Sequence, residues 1–483
     1  MKLFGPCLLI LGAILNLLAL FMLLPIGLSL AYNSANQLAF VLSATITSVV
    51  GIVFLVIGKK YPMEHMQPRQ VFLITGFAWC GVSLFGAIPF LLMNNAVSAA
   101  DAFFESVSGI TTTGSSVLVG LDFLPKDILL WRSLLNWIGG VGIIGMAIAV
   151  LPFLRVGGMR LFKTESSDWS DKALPRAQSL MAMIIYAYLL LSVCCFLSYW
   201  IAGMDAFSAI NHAMSTVSTG GFSTSDNSFA QFDSLALHWI AIIFMIAGAV
   251  PFVLFVRLMV HKKFLFLRDI QVKGLLTVIG VTTLVISANL IITNQMEPFR
   301  AFTLACFNLV SIITTTGYAS GDYQTWGQLA WVVFFFCMFI GGCSGSTSGG
   351  IKIFRFQIFS GLVKEQLITA IHPKAIISRR YNNKLISSEI LSSSVAYMFL
   401  FAMCFGTLTF ILALTGLDFI TSITGAATAL MNVGPGLGNT IGPAGNFSSL
   451  PDLAKWSMSF GMLLGRLEFL TLVVLFSSVF WRS

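Results

Sequence analysis

The sequence predicts an all-α integral membrane protein in which four pseudo-symmetric repeats follow two N-terminal spans. Three observations predict this fold class. First, 57% of the 483 residues are hydrophobic and only 10% are charged, whereas a soluble domain carries about 25% charged residues. Second, many apolar runs are long enough to cross a bilayer. Third, a short apolar segment followed by a glycine turn recurs between those runs. Together these features exclude a soluble globular protein.

Ten segments are candidate spans, since a span needs about 20 predominantly apolar residues. Eight are regular apolar runs: 3–24, 38–58, 71–93, 128–152, 179–202, 236–258, 274–294 and 389–415. The ninth, 454–480, contains Arg466 and Glu468, and the tenth, 328–371, is interrupted by a glycine- and serine-rich stretch at 341–350. The first run could alternatively be a signal peptide, but it is longer than the usual apolar region of one. We therefore count it as a span.

The basic residues predict the orientation of the chain. Ten spans leave both termini on one side of the membrane, and all but five of the 27 Lys and Arg residues fall on that side. The exceptions are Lys126, Arg132, Arg300 and Lys455 on the opposite side, and Arg466 inside the membrane. The positive-inside rule makes the basic side cytoplasmic. The formal charge of +8 therefore sets orientation and meets anionic membrane lipid, and no nucleic-acid partner is predicted.

Acidic residues concentrate on the opposite, outer side of the membrane. They are Asp101, Glu105, Asp122, Asp127, Asp205, Asp226, Asp233, Glu297, Asp322, Asp418 and Asp452. An excess of negative charge on one surface attracts cations to it. Taken singly, most of these acids also fit the alternative of ordinary solvated loop charges.

Four outer connections each contain an apolar segment too short to cross, followed by a turn of small residues. The segments are 103–114, 207–220, 302–317 and 419–434. Aligned on their last glycine, the turns are Thr112-Thr113-Gly114, Ser218-Thr219-Gly220, Thr315-Thr316-Gly317 and Asn432-Val433-Gly434. This alignment places Glu105, Asn211, Asn308 and Gly425 at one equivalent upstream position, and Ser108, Met214, Ser311 and Thr428 at another. Each segment lies between a span that leaves the cytoplasm and one that returns to it. The four units are therefore parallel and can surround one axis perpendicular to the membrane.

The chemistry of these turns predicts a pore for potassium. Irregular backbone at membrane depth is tolerated only where it is buried in protein or lines a water-filled path. A potassium ion sheds its water when rings of backbone carbonyls replace the hydration shell, and glycine reaches the φ > 0 conformations that aim carbonyls inward. The preceding short helices direct their partly negative C-terminal ends toward the axis. A single copy would fit an ordinary helix C-cap, but four copies favour a potassium-binding filter made of the twelve turn residues.

Over its whole length the chain resembles the TrkH/KtrB superfamily of potassium transporters, and within it the bacterial TrkH proteins. The resemblance implies a two-span region at 1–70 and four span–pore helix–filter–span repeats at 71–178, 179–273, 274–388 and 389–483. It also implies potassium uptake across the bacterial inner membrane, a homodimer, and a cytosolic nucleotide-binding regulatory partner of the TrkA type. In this family the filter glycines favour potassium. The fourth turn departs from Thr-Thr-Gly, so its carbonyls are expected to bind less regularly.

Two features are predicted to control the pore from below. The 341–350 stretch holds Gly342, Cys343, Ser344, Gly345, Ser346, Thr347, Ser348 and Gly349. It is either a kink packed by small residues or, as the resemblance implies, a gate beneath the filter. It leads into Lys352 and Arg355, which are expected to face the cytoplasm. Arg466, near mid-membrane, costs about 2.5–3.5 kcal/mol to insert. It forms either a structural ion pair with a carboxylate other than the nearby Glu468, or a positive barrier in the pathway.

Other functional classes fit the sequence less well. A proton- or sodium-coupled potassium symporter remains the main alternative. A transporter of inverted repeats would have several broken helices, whereas only one predicted span is interrupted and the repeats are parallel. The five histidines are scattered and the eight cysteines contain no Cys-x-x-Cys pair, so neither a metal site nor a disulfide framework is indicated. We predict no enzyme and no cofactor, with potassium as the transported substrate.

Overall fold

The structure, a computed structural model, describes residues 4–61, 67–95, 97–149, 177–374, 380–381, 384–386 and 388–482. The predicted cytoplasmic connection with Arg155, Arg160, Lys163, Lys172 and Arg176 lies outside the described residues, as do Lys2 and Arg379. The described chain is predominantly helical, which confirms the predicted all-α fold class. Two pairs of very short strands are also present: Ile340–Gly341 with Ile351–Lys352 in parallel, and Arg380–Tyr381 with Lys384–Leu385 in antiparallel register.

Seven helical segments of the described chain are long and apolar enough to cross a membrane. They are formed by the helices Gly5–Phe21 with Leu23–Ala31, Gln37–Gly58, Pro68–Gly86 with Ile88–Leu92, Lys126–Ala149, Ala177–Ile201, Ile270–Asn294 and Ser388–Leu414. Two further spans are bent pairs, Leu235–Ala249 with Phe252–His261 and Asp452–Arg466 with Phe469–Phe476. A last pair, Gln328–Cys337 and Ile353–Ile371, flanks the glycine- and serine-rich stretch, and Ser478–Trp481 forms a final helical turn. The protein is therefore a multi-span membrane protein.

Two spans that were predicted to be continuous helices are broken in the structure. The 236–258 span bends by 93° at Pro251, because proline lacks the backbone N–H of a helix interior and its ring clashes with the preceding turn. The 454–480 span bends by 116° beside Glu468, whose φ is +60°. With the interruption at 341–350, three returning spans are broken within the described residues instead of one. The expectation of a single broken span was wrong. The number of broken spans is therefore no argument against a transporter with broken helices.

Four short helices lie in the connections predicted to be outer, and we keep the word outer for this side of the molecule. The helices are Ala99–Ile110, Ala206–Val217, Pro298–Ile313 and Phe419–Met431. We call them short helices 1 to 4. Each begins with a side chain that accepts a hydrogen bond from the first turn of the helix, namely Ser98, Asp205, Glu297 and Asp418. Such N-caps satisfy backbone donors that have no helical partner. The Asp418 carboxylate, for example, accepts from the Thr421 N–H at 3.1 Å.

The remaining connections contain single 3₁₀ turns, at Leu121–Phe123, Ser228–Gln231, Phe266–Arg268 and Tyr323–Trp326. The two N-terminal spans pack closely because glycines face backbone across their interface. A Cβ at Gly12 would meet the Gly51 carbonyl oxygen at 2.7 Å, and one at Gly58 would meet the backbone nitrogen of Leu9 at 2.5 Å. Small residues at such contacts are typical of helix packing in membranes.

Candidate ion pathway

The four turns that follow the short helices share one backbone conformation. In each, a non-glycine residue in the left-handed region stands two positions before a glycine with positive φ. The pairs are Thr112 (+52°) with Gly114 (+88°), Thr219 (+53°) with Gly221 (+73°), Thr315 (+57°) with Gly317 (+84°), and Asn432 (+55°) with Gly434 (+110°). The left-handed region is costly for residues other than glycine. Its occurrence at four equivalent places therefore shows that one geometry is imposed on all four turns.

A shared hydrogen bond fixes the same equivalence. The backbone N–H between the two positive-φ residues donates to the carbonyl oxygen five positions earlier, in a helix-terminating motif. The donors and acceptors are Thr113 to Ser108 (2.8 Å), Gly220 to Ser215 (2.8 Å), Thr316 to Ser311 (2.8 Å) and Val433 to Thr428 (3.2 Å). All four acceptors carry a side-chain hydroxyl.

The second turn differs by one residue from the alignment expected from sequence. The equivalent of Thr112-Thr113-Gly114 is Thr219-Gly220-Gly221, and Ser218 directly follows the last residue of short helix 2. Two adjacent glycines both lack a Cβ, so residue type alone does not decide which one takes the φ > 0 position. With the alignment moved by one residue, His212 instead of Asn211 is the equivalent of Glu105, and Ser215 instead of Met214 is the equivalent of Ser108. The sequence signal that was missed is the hydroxyl common to Ser108, Ser215, Ser311 and Thr428.

The four turns form a closed ring. A Cβ added to Gly114 would collide with the carbonyl oxygen of Gly220, one on Gly221 with that of Thr316, and one on Gly317 with that of Val433. A Cβ on Gly434 would lie 3.0 Å from the carbonyl oxygen of Thr113, which returns to the first turn. Each glycine thus faces a carbonyl of the next turn in chain order. The ring surrounds one axis.

An outer cavity opens above this ring. All four positive-φ glycines line it, together with side chains from the loops that follow each turn. The acidic residues of the outer side do not all add negative charge to it, because two of them form ion pairs with basic residues. Glu105 is fully buried and pairs with Arg132 at 2.7 Å, and Asp101 pairs with Lys455 at 2.6 Å. These two acids therefore do not contribute free negative charge to the outer surface.

The glycine- and serine-rich stretch 341–350, here called the inner loop, packs directly beneath turns 2, 3 and 4. All eight predicted gate residues of this loop, 342–349, are buried. The Thr347 hydroxyl accepts a hydrogen bond from the Thr219 hydroxyl at 3.3 Å. The Ser348 hydroxyl donates to the Thr314 carbonyl at 2.6 Å, and the Gly349 N–H donates to the Thr315 hydroxyl at 2.7 Å. A Cβ on Gly349 would also meet the Met431 carbonyl oxygen at 2.5 Å, so the loop forms hydrogen bonds with turns 2 and 3 and packs against turn 4.

The inner loop also closes the break at Pro251. The N–H groups of Cys343 and Thr347 donate to the carbonyls of Ala249 (2.8 Å) and Gly248 (3.1 Å), and the Gly345 carbonyl accepts from the N–H of Phe252 (3.0 Å). A helix that ends at a bend leaves carbonyls without intrahelical donors. The inner loop supplies those donors, so the irregular backbone of both segments is satisfied inside the protein, as a lipid environment requires.

Arg466 reaches the inner loop from the last span. Its Nη2 donates to the Thr347 carbonyl at 2.7 Å, and its side chain lines a small cavity with Ser344, Ser348 and Lys352. Its Nε and Nη1 have no hydrogen-bond partner among the described residues. No described carboxylate forms an ion pair with it, in line with the expectation that Glu468 does not. The structure thus brings the predicted gate residues together.

Glu468 pairs instead with Arg355, at 2.7 Å. Arg355 was expected to face the cytoplasm, but it is only 1% exposed. Its guanidinium carbon lies 3.5 Å from the centre of the Tyr397 ring. The expectation was wrong because the partners that draw Arg355 inward come from distant parts of the chain. Within the described residues, no group of three or more His, Cys, Asp or Glu side chains suited to a metal ion is found.

Comparison with known proteins gives one family. A family model described as the TrkH cation transport protein matches residues 40–482. The chain is 44% identical over 482 residues to the Trk system potassium uptake protein TrkI of Halomonas elongata, covering 99% of this chain and 97% of that protein. It is 34% identical over 482 residues to the Trk system potassium uptake protein TrkH of Escherichia coli, covering 98% of each. The crystal structure of the potassium transporter TrkH from Vibrio parahaemolyticus matches with a TM-score of 0.91 and 33% identity, over 99% of this chain and 100% of that one. The chain therefore belongs to the TrkH family of cation transport proteins and is an ion transporter, not an enzyme.

Proposed function

We propose that this protein takes up potassium across the bacterial inner membrane through a channel-like pore, with both termini in the cytoplasm. The observation that carries the proposal is the closed ring of turns, in which each glycine faces a carbonyl of the next turn. Rings of backbone carbonyls replace the hydration shell of potassium in selective pores. The full-length similarity to potassium uptake proteins of the Trk system supports the same ion.

The filter in this proposal consists of one triplet from each turn. The triplets are Thr112-Thr113-Gly114, Thr219-Gly220-Gly221, Thr315-Thr316-Gly317 and Asn432-Val433-Gly434. Ser218 belongs to the end of short helix 2 rather than to the triplet. Glycine is required at the last position because φ is positive and the neighbouring carbonyl leaves no room for a Cβ.

The inner loop and Arg466 form the gate in this proposal. The loop covers the inner side of turns 2, 3 and 4, and Arg466 of the last span donates to its Thr347 carbonyl. A positive charge beside a cation pathway raises the barrier to cations in proportion to its proximity and to the low local dielectric. The unpaired Nε and Nη1 of Arg466 support a charge that acts on the pathway.

The assembly in this proposal is a homodimer in the lipid membrane, regulated by a cytosolic nucleotide-binding partner of the TrkA type. The division into 1–70 and four repeats at 71–178, 179–273, 274–388 and 389–483 belongs to the same proposal. The match over nearly the whole length of Trk system proteins supports both the proposed assembly and the proposed division into repeats. No nucleic acid is involved.

A potassium symporter driven by protons or sodium is the second candidate. It is favoured by the three broken spans, because transporters that couple ions commonly bind them at helix breaks. Flux in proteoliposomes under an imposed voltage separates the two. A pore passes potassium or rubidium downhill without a second ion and discriminates against sodium and lithium. A strict stoichiometric requirement for protons or sodium would contradict the pore.

A further inference from the structure

Three of the four short helices use a polar side chain at one equivalent position to hold the segment that follows the turn, two of them by its backbone and one by a serine hydroxyl. Glu105 accepts from the Val117 N–H at 2.9 Å, and His212 contacts the Ser223 hydroxyl through Nε2 at 3.2 Å. Asn308 accepts from the Ser320 N–H at 3.1 Å. The fourth helix has Gly425 there, and the neighbouring Thr424 hydroxyl accepts from Leu437 N–H at 3.1 Å instead. In each repeat, a side chain of the short helix therefore contacts the residues that follow the turn, and we call this contact the brace of the turn.

In the first repeat, the side chain that contacts the residues after the turn is the charged Glu105, which also forms an ion pair with Arg132. Glu105 and Arg132 pair with side chains that are 0% and 1% exposed. Arg132 also donates from Nη1 to the Ser223 carbonyl at 2.9 Å and from Nη2 to the Ser116 hydroxyl at 3.0 Å. Its guanidinium carbon lies 4.2 Å from the centre of the Phe222 ring. Ser116 follows turn 1, whereas Phe222 and Ser223 follow turn 2, so one guanidinium connects the outer ends of two turns.

The residue types suit a geometric role better than a stabilising one. Removing two charges from water costs about as much as their attraction returns, and apolar replacements of a buried pair are often neutral or stabilising. A guanidinium offers five donors in a rigid planar fork. Here three of its nitrogens contact three partners in fixed directions. An ammonium on a flexible stem cannot reproduce that arrangement.

We propose that Glu105 and Arg132 are a positioning pair that fixes the spacing between turns 1 and 2 and thereby sets discrimination between potassium and sodium. The proposal rests on the proposed filter function. A shift of the outer ends of these turns moves the Thr113 and Gly220 carbonyls that contribute to the ring. Carbonyl rings select by their geometry and field strength, so such a shift changes the relative affinity for the two ions.

The first experiment measures potassium and sodium flux per folded molecule in proteoliposomes. Glu105→Gln keeps the side-chain shape and an acceptor for Val117 but leaves Arg132 unpaired, and we expect it to lower the potassium-to-sodium ratio about tenfold, the scale of one lost specific contact. Arg132→Lys keeps the charge and should give a smaller loss in the same direction. Ser116→Ala removes the hydroxyl that accepts from Arg132 and from the Leu118 N–H and donates to Glu105, and it carries the test if Glu105→Gln does not fold.

A double variant separates positioning from plain stability. Glu105→Gln combined with Arg132→Met removes both charges at similar volume, and we expect it to recover folded yield and thermal stability but not ion discrimination. Recovery of both properties would overturn the positioning role. The matched control is Asp101→Asn with Lys455→Gln, which removes the other ion pair of short helix 1 and should leave discrimination at the parental level.

The outcomes also distinguish this proposal from the filter itself. If Gly317→Ser abolishes discrimination while Glu105→Gln and Arg132→Lys keep it, the filter stands and the positioning pair is overturned. If Gly317→Ser keeps discrimination, the filter fails, and the positioning pair fails with it.

Discussion

The outer and inner sides of the ring of turns are built in opposite ways. On the outer side, all four glycines line one cavity and every turn is braced from its own short helix. On the inner side, one loop forms hydrogen bonds with turns 2 and 3 and packs against turn 4, and one arginine from the last span holds that loop. The Thr112 hydroxyl, equivalent to those of Thr219 and Thr315, has no hydrogen-bond partner in the described chain. The outer side is regular and the inner side is not.

This difference separates two requirements. Discrimination between ions needs equivalent carbonyls around the axis, so it favours repetition. Control of flux needs a segment with two arrangements, and one element that breaks the repetition can supply it. The comparison therefore predicts that changes on the outer side alter which ion passes, and changes on the inner side alter how much passes.

The largest effect is expected at the ring itself. Gly317→Ser and Gly114→Ser should abolish potassium flux or reduce potassium-to-sodium discrimination by about 100-fold, because a Cβ would collide with the next carbonyl and several ring contacts would shift together. Flux of potassium, rubidium and sodium into proteoliposomes measures it. Parental discrimination in both variants would mean that these turns are not the filter.

A matched pair at the second turn sharpens the equivalence of the four turns. Gly221→Ala places a Cβ against the backbone oxygen of Thr316, whereas a Cβ at Gly220 would meet the Asn136 side chain at 2.5 Å. A side chain can move aside more readily than a carbonyl of the ring. We expect Gly221→Ala to lower discrimination about tenfold and Gly220→Ala to lower it less. A larger loss of discrimination in Gly220→Ala than in Gly221→Ala would mean that Gly220, and not Gly221, is the equivalent of Gly114.

A smaller effect of opposite sign is expected on the inner side. Arg466→Ala should raise rubidium flux per folded molecule several-fold while discrimination stays unchanged, since removing a nearby positive charge lowers the barrier to a cation. Arg466→Lys is the control, because it keeps the charge but loses the planar contact with Thr347. A fall in folded protein with no rise in flux per molecule would assign Arg466 a structural role.

Composition and repetition carried most of the prediction from sequence. Apolar run length gave the spans, the distribution of Lys and Arg gave an orientation, and recurring glycine turns gave the four equivalent segments. These signals depend on residue type and spacing, which the sequence displays directly. The same signals located the inner loop, because no continuous helix favours five glycines and three serines in ten residues.

Bends within the spans and ion pairs between distant residues could not be predicted from composition and repetition. Hydropathy measures composition along a run and is blind to a bend, so the break at Glu468 was hidden, although Pro251 was a visible signal for the other one. Adjacent Gly220 and Gly221 left the second turn open to two alignments. Arg355 looked cytoplasmic because its partner Glu468 lies 113 residues away. Such a pairing follows from packing and not from the local sequence.

Shortening the inner loop between 343 and 349 tests the central claim most directly. The measurement is rubidium uptake per folded molecule with and without the proposed TrkA-type partner and its nucleotide, together with the potassium-to-sodium ratio. We predict that flux rises and loses its dependence on the partner while the ratio remains that of the parent, since the turns proposed as the filter lie above the loop. A folded, selective protein that is no more active than the parent would contradict the account, as would a loss of selectivity accompanying the gain in flux.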